Sequence, residues 1–264
     1  MAFPNVPRVR YENNPLEEVT CQLRFPSILR ITAESPVGFQ DAIRNNFPLF
    51  SESSSVQLPA GIPANISRVV RRDLGALGKK SYVFESADRR WKIKLAQDSL
   101  SLISRKYDGW EDFRARLEAP FQTLLQEYCP ALFTHTCLKY RNVIRRSRLS
   151  SPLLAWQSLL QPWMIGPLSS SSTLNQTEAF EARTLIVLPE DSGKLDAKFG
   201  LALQQPLPDH VFLIDAHLFH EEQKGETDVF PRIDSLNRQA RLFFRWCITD
   251  ELHRELCPVA IEPG

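Results

Sequence analysis

Val19, Cys21, Leu23 and Phe25 alternate with Thr20, Gln22 and Arg24, which is the period of a half-buried strand. Ser35-Pro36 then supplies a cap and a proline at the first helical position. The pair predicts a short helix with Val37, Phe39, Ala42, Ile43 and Phe47 inward. Residues 51–63 are rich in Ser and Pro and read as a loop. Strand patterns follow at 66–72, 81–85, 89–95 and 99–104. The cleanest sets Trp91, Ile93 and Leu95 against Arg90, Lys92 and Lys94. The apolar spacing then lengthens to three or four: Trp110, Phe113, Leu117, Phe121, Leu124 and Tyr128 form one stripe of a long helix. Pro120 predicts a kink or break within it.

The second half follows a similar order. Residues 135–145 read as a strand, and Ser151-Pro152 opens a second short helix carrying Leu153, Trp156, Leu159, Leu160 and Trp163. A serine run at 169–173 reads as a loop. Strands are expected at 180–188, 197–203 and 210–219, the first two flanking a turn at 190–193. A final long helix begins near Pro231 with Ile233, Leu236, Ala240, Phe243, Cys247 and Leu252 inward. Shifting the chain by 116 residues makes six of the seventeen positions from 20 to 36 identical, including Thr20-Cys21 on Thr136-Cys137 and Ser35-Pro36 on Ser151-Pro152. The expectation is an α+β fold made by tandem duplication of a β-α-β-β-β-α unit. Curved antiparallel sheets would each pack against a long helix, because each helix has one apolar stripe to bury. The repeats would occupy 1–130, with an N-terminal arm, and 131–264, and would pack as one pseudo-two-fold unit.

Composition narrows the function classes. Hydrophobic residues make up 43% and charged residues 24%, the balance of a globular protein with a sizeable core. A net charge of +1 gives no global electrostatic case for nucleic acid or an anionic membrane. Ten glycines against 19 prolines argue against glycine-rich phosphate cradles. No apolar run reaches the roughly 18 residues of a membrane span, and the N-terminus lacks a secretory pattern. The Asn65 and Asn175 triplets therefore carry no glycosylation meaning. Cysteines at 21, 129, 137, 247 and 257 are odd in number with no Cys-x-x-Cys pair, which points to reduced thiols and a cytoplasmic setting.

The segment Tyr11-x-x-Asn14-Pro15-Leu16-x-Glu18-Val19-x-x-x-Leu23-Arg24-Phe25 resembles the opening of an uncharacterised, sporadically distributed bacterial family of about this length. Members carry an Arg-Tyr-Ile-Asn-like strand near the middle; this chain has Lys139-Tyr140-Arg141-Asn142 within Leu138 to Ile144, a loosened version. Asn237, Ala240, Phe244 and Glu251 in the C-terminal helix are also similar. The resemblance implies no activity. The family's patchy distribution implies mobile or defence-linked gene neighbourhoods.

Candidate chemistry is sparse. Gly75 to Ser81 fails as a phosphate loop, because Asp73 stands where the first glycine belongs and Lys80 where the hydroxyl belongs. Asp215 and His217 share a strand face, with His220 at the strand end, and form the most metal-like group: a carboxylate and two imidazoles suit zinc or iron. Against this, Val211 and Leu213 share that face. Lys139, Arg141, Arg145, Arg146 and Arg148 crowd ten residues around Tyr140, and a second basic region spans 68–94. On one concave face these could neutralise phosphates; on a solvated face they would be balanced by nearby carboxylates. Glu17 and Glu18 are carboxylates at a strand entry, with acid–base work as the less common role. Trp163 and Trp246 are the interface anchors to consider, with core packing as their default.

The leading expectation is a non-catalytic accessory or regulatory module that binds another protein subunit, with no cofactor and no membrane contact. A homo-oligomer stays open. Nucleic-acid binding through the basic strands is the first alternative. A metal-dependent enzyme using Asp215, His217 and His220, or a small-ligand receptor, is the second.

Overall fold

The computed structural model describes residues 3–55, 79–170, 172–173, 176–189, 192–204, 209–221 and 229–261. The strand expected at 66–72, the glycine segment at 75–78, both Asn-X-Ser/Thr asparagines, and Arg68, Arg71 and Arg72 lie outside the described residues.

Eleven strands are described. They are β1 (Val9–Tyr11), β2 (Leu16–Arg24), β3 (Leu49–Ser55), β4 (Lys79–Glu85), β5 (Trp91–Ala96), β6 (Ser99–Ser104), β7 (His135–Arg145), β8 (Phe180–Val187), β9 (Lys194–Gln204), β10 (Asp209–Glu221) and β11 (Pro258–Ala260). The helices are α1 (Arg30–Ala33), α2 (Val37–Ile43), α3 (Trp110–Tyr128), α4 (Trp156–Leu159), α5 (Pro162–Ile165), α6 (Phe230–Cys247) and α7 (Asp250–Glu255). Hydrogen bonds link nine strands in the order β3-β4-β5-β6-β2-β7-β10-β9-β8, while β1 pairs with β11 antiparallel. No helix among the described residues is long and apolar enough to cross a membrane.

This order corrects the expected architecture. The α+β class stands, but the described strands form one nine-stranded sheet and a two-stranded one, not curved sheets from a repeated β-α-β-β-β-α unit. Two local differences break the repeat. Residues 49–55, placed largely in a serine-rich loop by composition, form β3 and pair with β4 from Leu49↔Glu85 to Ser55↔Lys79. Among the described residues, the first stretch therefore has four strands after its helices. Ser151-Pro152, matched to the helix-opening Ser35-Pro36, lies instead in a turn, with Leu153 96% exposed. Two four-residue helices follow, separated where Pro162 starts α5.

Contacts divide the chain into two compact units. One comprises residues 21–135 and 222–227. There β3 to β6 pair antiparallel in sequence order, and Tyr82, Phe84, Ile93, Leu95, Leu100 and Leu102 are buried. Helix α3 buries the anticipated Trp110, Phe113, Leu117, Phe121 and Leu124, and it runs through Pro120 without a break. Phe39 and Ile43 of α2 are buried too, whereas Val37 is exposed.

The other unit comprises 1–20, 136–221 and 228–264. Strands β8, β9 and β10 form a long antiparallel meander whose register includes Asp215↔Lys198, His217↔Asp196 and Arg183↔Lys198. Gly200 of β9 is required by close approach: a Cβ there would lie 1.9 Å from the Phe180 carbonyl oxygen. The turn glycine Gly193 takes φ 91°, a conformation disfavoured for side-chain-bearing residues. Helix α6 buries Ile233, Leu236, Ala240, Phe243 and Cys247, as its stripe predicts. It ends before Ile248, which bridges to Leu160, so Leu252 belongs to a separate helix capped by Thr249.

Candidate functional site

Strand alternation places the site. Along β7, Thr136, Leu138, Tyr140, Asn142 and Ile144 are buried, and the Tyr140 hydroxyl donates to Asn237 Oδ1 of α6 at 2.8 Å. Those positions define the face beneath α6. His135, Cys137, Lys139 and Arg141 have the opposite parity and share the other face. On β10, Asp215, His217 and Phe219 share one face, and the His217 and Phe219 rings lie 5.1 Å apart.

That face carries two bidentate ion pairs. Arg141 donates from Nε and Nη2 to the Asp215 carboxylate at 2.9 and 3.1 Å. Arg183 donates to both oxygens of Asp196 at 2.7 Å. The Arg183 hydrogen bonds hold the Asp196 carboxyl below the usual range against partial burial, and the neighbouring His217 and Lys198 add to the effect. The Arg141 guanidinium is shifted up by its bonds to Asp215. Arg141 is 57% exposed and Arg183 62%, so solvent screens both pairs and their main effect is to orient the carboxylates. On this face lies a groove of about 340 Å³, lined by Glu18, Thr20, Lys139, Arg141, Asp196, Lys198, Asp215 and His217 among others.

Beside it, the ligand atoms of His135, Cys137 and His217 all lie within 4.8 Å of one another. The division between units cuts β7 just after His135, but the strand is continuous, and His135 and Cys137 are two residues apart on one face of it. Cys137 is fully buried and the two imidazoles are half-buried. In a tetrahedral zinc site, bonds of 2.0–2.3 Å set ligand atoms about 3.5 Å apart. The 4.8 Å bound on the spacing here lies somewhat above that value. One thiolate and two imidazoles form a borderline-soft donor set suited to zinc, and three protein ligands leave a fourth position open.

The residues singled out in the sequence are distributed as follows. Of Asp215, His217 and His220, only His217 enters the cluster. Asp215 is engaged by Arg141, and His220 falls on the opposite parity of β10. Sequence reasoning passed over His135 and Cys137, because a cysteine in an apolar strand pattern reads as a small hydrophobe. The available signal was His-x-Cys on a strand, which alternation sets on one face.

Of the basic group, Arg145 pairs with Glu17 at 2.5 Å. Arg146 donates to the Leu154 carbonyl and lies 5.0 Å over the Trp156 ring. The Arg148 carbonyl accepts from Asn13. Arg141, Arg145 and Arg146 are thus engaged within the protein, and Lys139 lines the groove. In the other region Lys80 pairs with Glu52 and Lys92 with Glu85. Trp163 stacks on Trp246 with ring centroids 4.2 Å apart, and contacts Phe199 edge-on; Phe3 packs against Trp246. Trp163 remains 37% exposed. Compared with protein-family models and with curated proteins, the chain matches none.

Proposed function

We propose that this protein is a metal-dependent enzyme that holds a zinc-class divalent ion on His135, Cys137 and His217. The convergence of those three ligand atoms within 4.8 Å carries the reading. A bound ion of this class supplies Lewis acidity and lowers the pKa of a coordinated water. The chain's own residues do the rest. His135 and Cys137 are presented by one strand and His217 by another, so the rigid sheet fixes the ligand geometry. His217 also lines the groove, which supports substrate access beside the centre. Arg141 and Arg183 hold the Asp215 and Asp196 carboxylates, and Asp196 is the cross-strand partner of His217.

The protein-binding reading keeps one supporting observation, the partly exposed Trp163 ring. Trp163 and Trp246 stack on each other and pack with Phe199 and Phe243 in one aromatic cluster, so the metal reading is preferred. Nucleic-acid contact is disfavoured because phosphate neutralisation calls for cations without intramolecular partners, and three of the five singled-out residues are engaged.

Cobalt(II) substitution tests the proposal. Adding cobalt to the metal-free full-length protein should produce visible ligand-field bands and a thiolate charge-transfer band. Cys137→Ser should remove the charge-transfer band, and His217→Ala should weaken uptake at least tenfold, an energetic loss of about 1.4 kcal/mol or more. No cobalt spectrum in a folded wild-type protein, or an unchanged thiolate band in Cys137→Ser, overturns it.

A further inference from the structure

We infer that the groove beside the metal centre receives a small oxyanion, the phosphate or carboxylate group of the substrate, between Lys139 and Lys198. The inference rests on the metal reading above and gives that site its substrate class. The charges of the groove carry it. Arg141 cancels Asp215 and Arg183 cancels Asp196 through bidentate pairs. Lys139, Lys198 and Glu18 are the other charged residues lining the groove. Neither lysine makes an ion pair within 4.0 Å among the described residues, and both are exposed. A divalent ion bound with one thiolate adds a further unit of positive charge. The occupied centre thus leaves a local excess of two positive charges on a face whose other ions are paired.

Position supports the same conclusion. Lys139 is two residues from Cys137 on the same face of β7, and Lys198 stands opposite Asp215 in the β9–β10 register. The lysines therefore approach from two strands, with the Thr20 hydroxyl on the groove wall as a neutral hydrogen-bond group. A groove of about 340 Å³ is at the small end of the range for ligand sites of roughly 300–1,000 Å³, which suits a compact substrate over a polymer.

The test uses the full-length zinc-loaded protein, titrated calorimetrically with inorganic phosphate and separately with acetate. Zinc content is measured in the same samples. Saturable binding of either anion, weakened about tenfold or more by Lys139→Ala plus Lys198→Ala with zinc content unchanged, is the expected result. The anion that binds tells phosphate from carboxylate. Stoichiometric zinc with no anion binding, or equal binding by the double variant, overturns this inference and leaves the metal reading intact. Absence of zinc uptake overturns both. Because both lysines are exposed, unchanged circular dichroism is expected and separates a local effect from unfolding.

Discussion

At the scale of single residues, pairing decides which polar groups have chemistry to offer. Asp215 looked like a metal ligand in the sequence, but an arginine on the face of β7 occupies both its oxygens. Cys137 sits in an apolar strand pattern, the setting of a small hydrophobe, yet the ligand atoms of two imidazoles lie within 4.8 Å of its sulfur. Neither relation was legible, because alternation reports the face of a residue and not its cross-strand neighbour. His253 shows the same logic in its protonation. The Tyr11 hydroxyl and His253 Nδ1 are hydrogen-bonded at 2.9 Å, and burial pushes the Tyr11 pKa up to about 12 against the opposing Arg245 charge. Burial, assisted by Arg245 and opposed by Asp250, holds His253 below its ordinary 6.5. The folded state therefore binds this proton less readily than the unfolded chain. The contribution of His253 to stability is fully present above about pH 6.5 and is lost as pH falls through that value toward the lower folded pKa. His253→Gln should flatten the decline in Tm between pH 7 and 5; a slope matching that of the original protein would contradict the assignment.

At the scale of elements, the apolar period located most strands and both long helices. The expected strand at 135–145 coincides with β7, and the stripe from Trp110 to Leu124 is the buried face of α3. Failures came where side-chain chemistry and backbone pairing disagree. The sequence Ser51-Glu-Ser-Ser-Ser55 has the composition of a loop, but β3 gains its hydrogen bonds from β4, a partner invisible to local pattern. Trp156, Leu159 and Leu160 are buried as expected, although the helix carrying them breaks before Pro162. Close approach between β8 and β9 yields a sharp prediction. Gly200→Ala would drive a Cβ into the Phe180 carbonyl and force the hairpin apart. Urea denaturation should show a loss of about 2 kcal/mol or more, within the range for overpacking and backbone strain. A loss below about 0.5 kcal/mol would mean that the strands can separate at little cost.

At the scale of the whole molecule, the order of strands in hydrogen-bonded pairs differs from their order along the chain. β2 stands between β6 and β7, and β7 between β2 and β10. Repetition of local patterns, such as the identities between 20–36 and 136–152, carries no information about those pairings. Sequence reading consequently reached the α+β class and missed the single large sheet. The proposed metal ligands come from strands about 80 residues apart, so an ion bound there should favour the folded state over the unfolded one. At zinc 100-fold above its Kd the linkage amounts to about 2.7 kcal/mol, which should raise Tm by roughly 5 °C or more. A competitive zinc titration of the metal-free protein beside its Cys137→Ser and His217→Ala variants tests the proposed centre most directly. About one tightly bound zinc per chain, lost or strongly weakened in both variants, is the predicted result. Folded wild-type protein that takes up no zinc, or that binds it no better than the variants do, would rule out a metal centre on His135, Cys137 and His217.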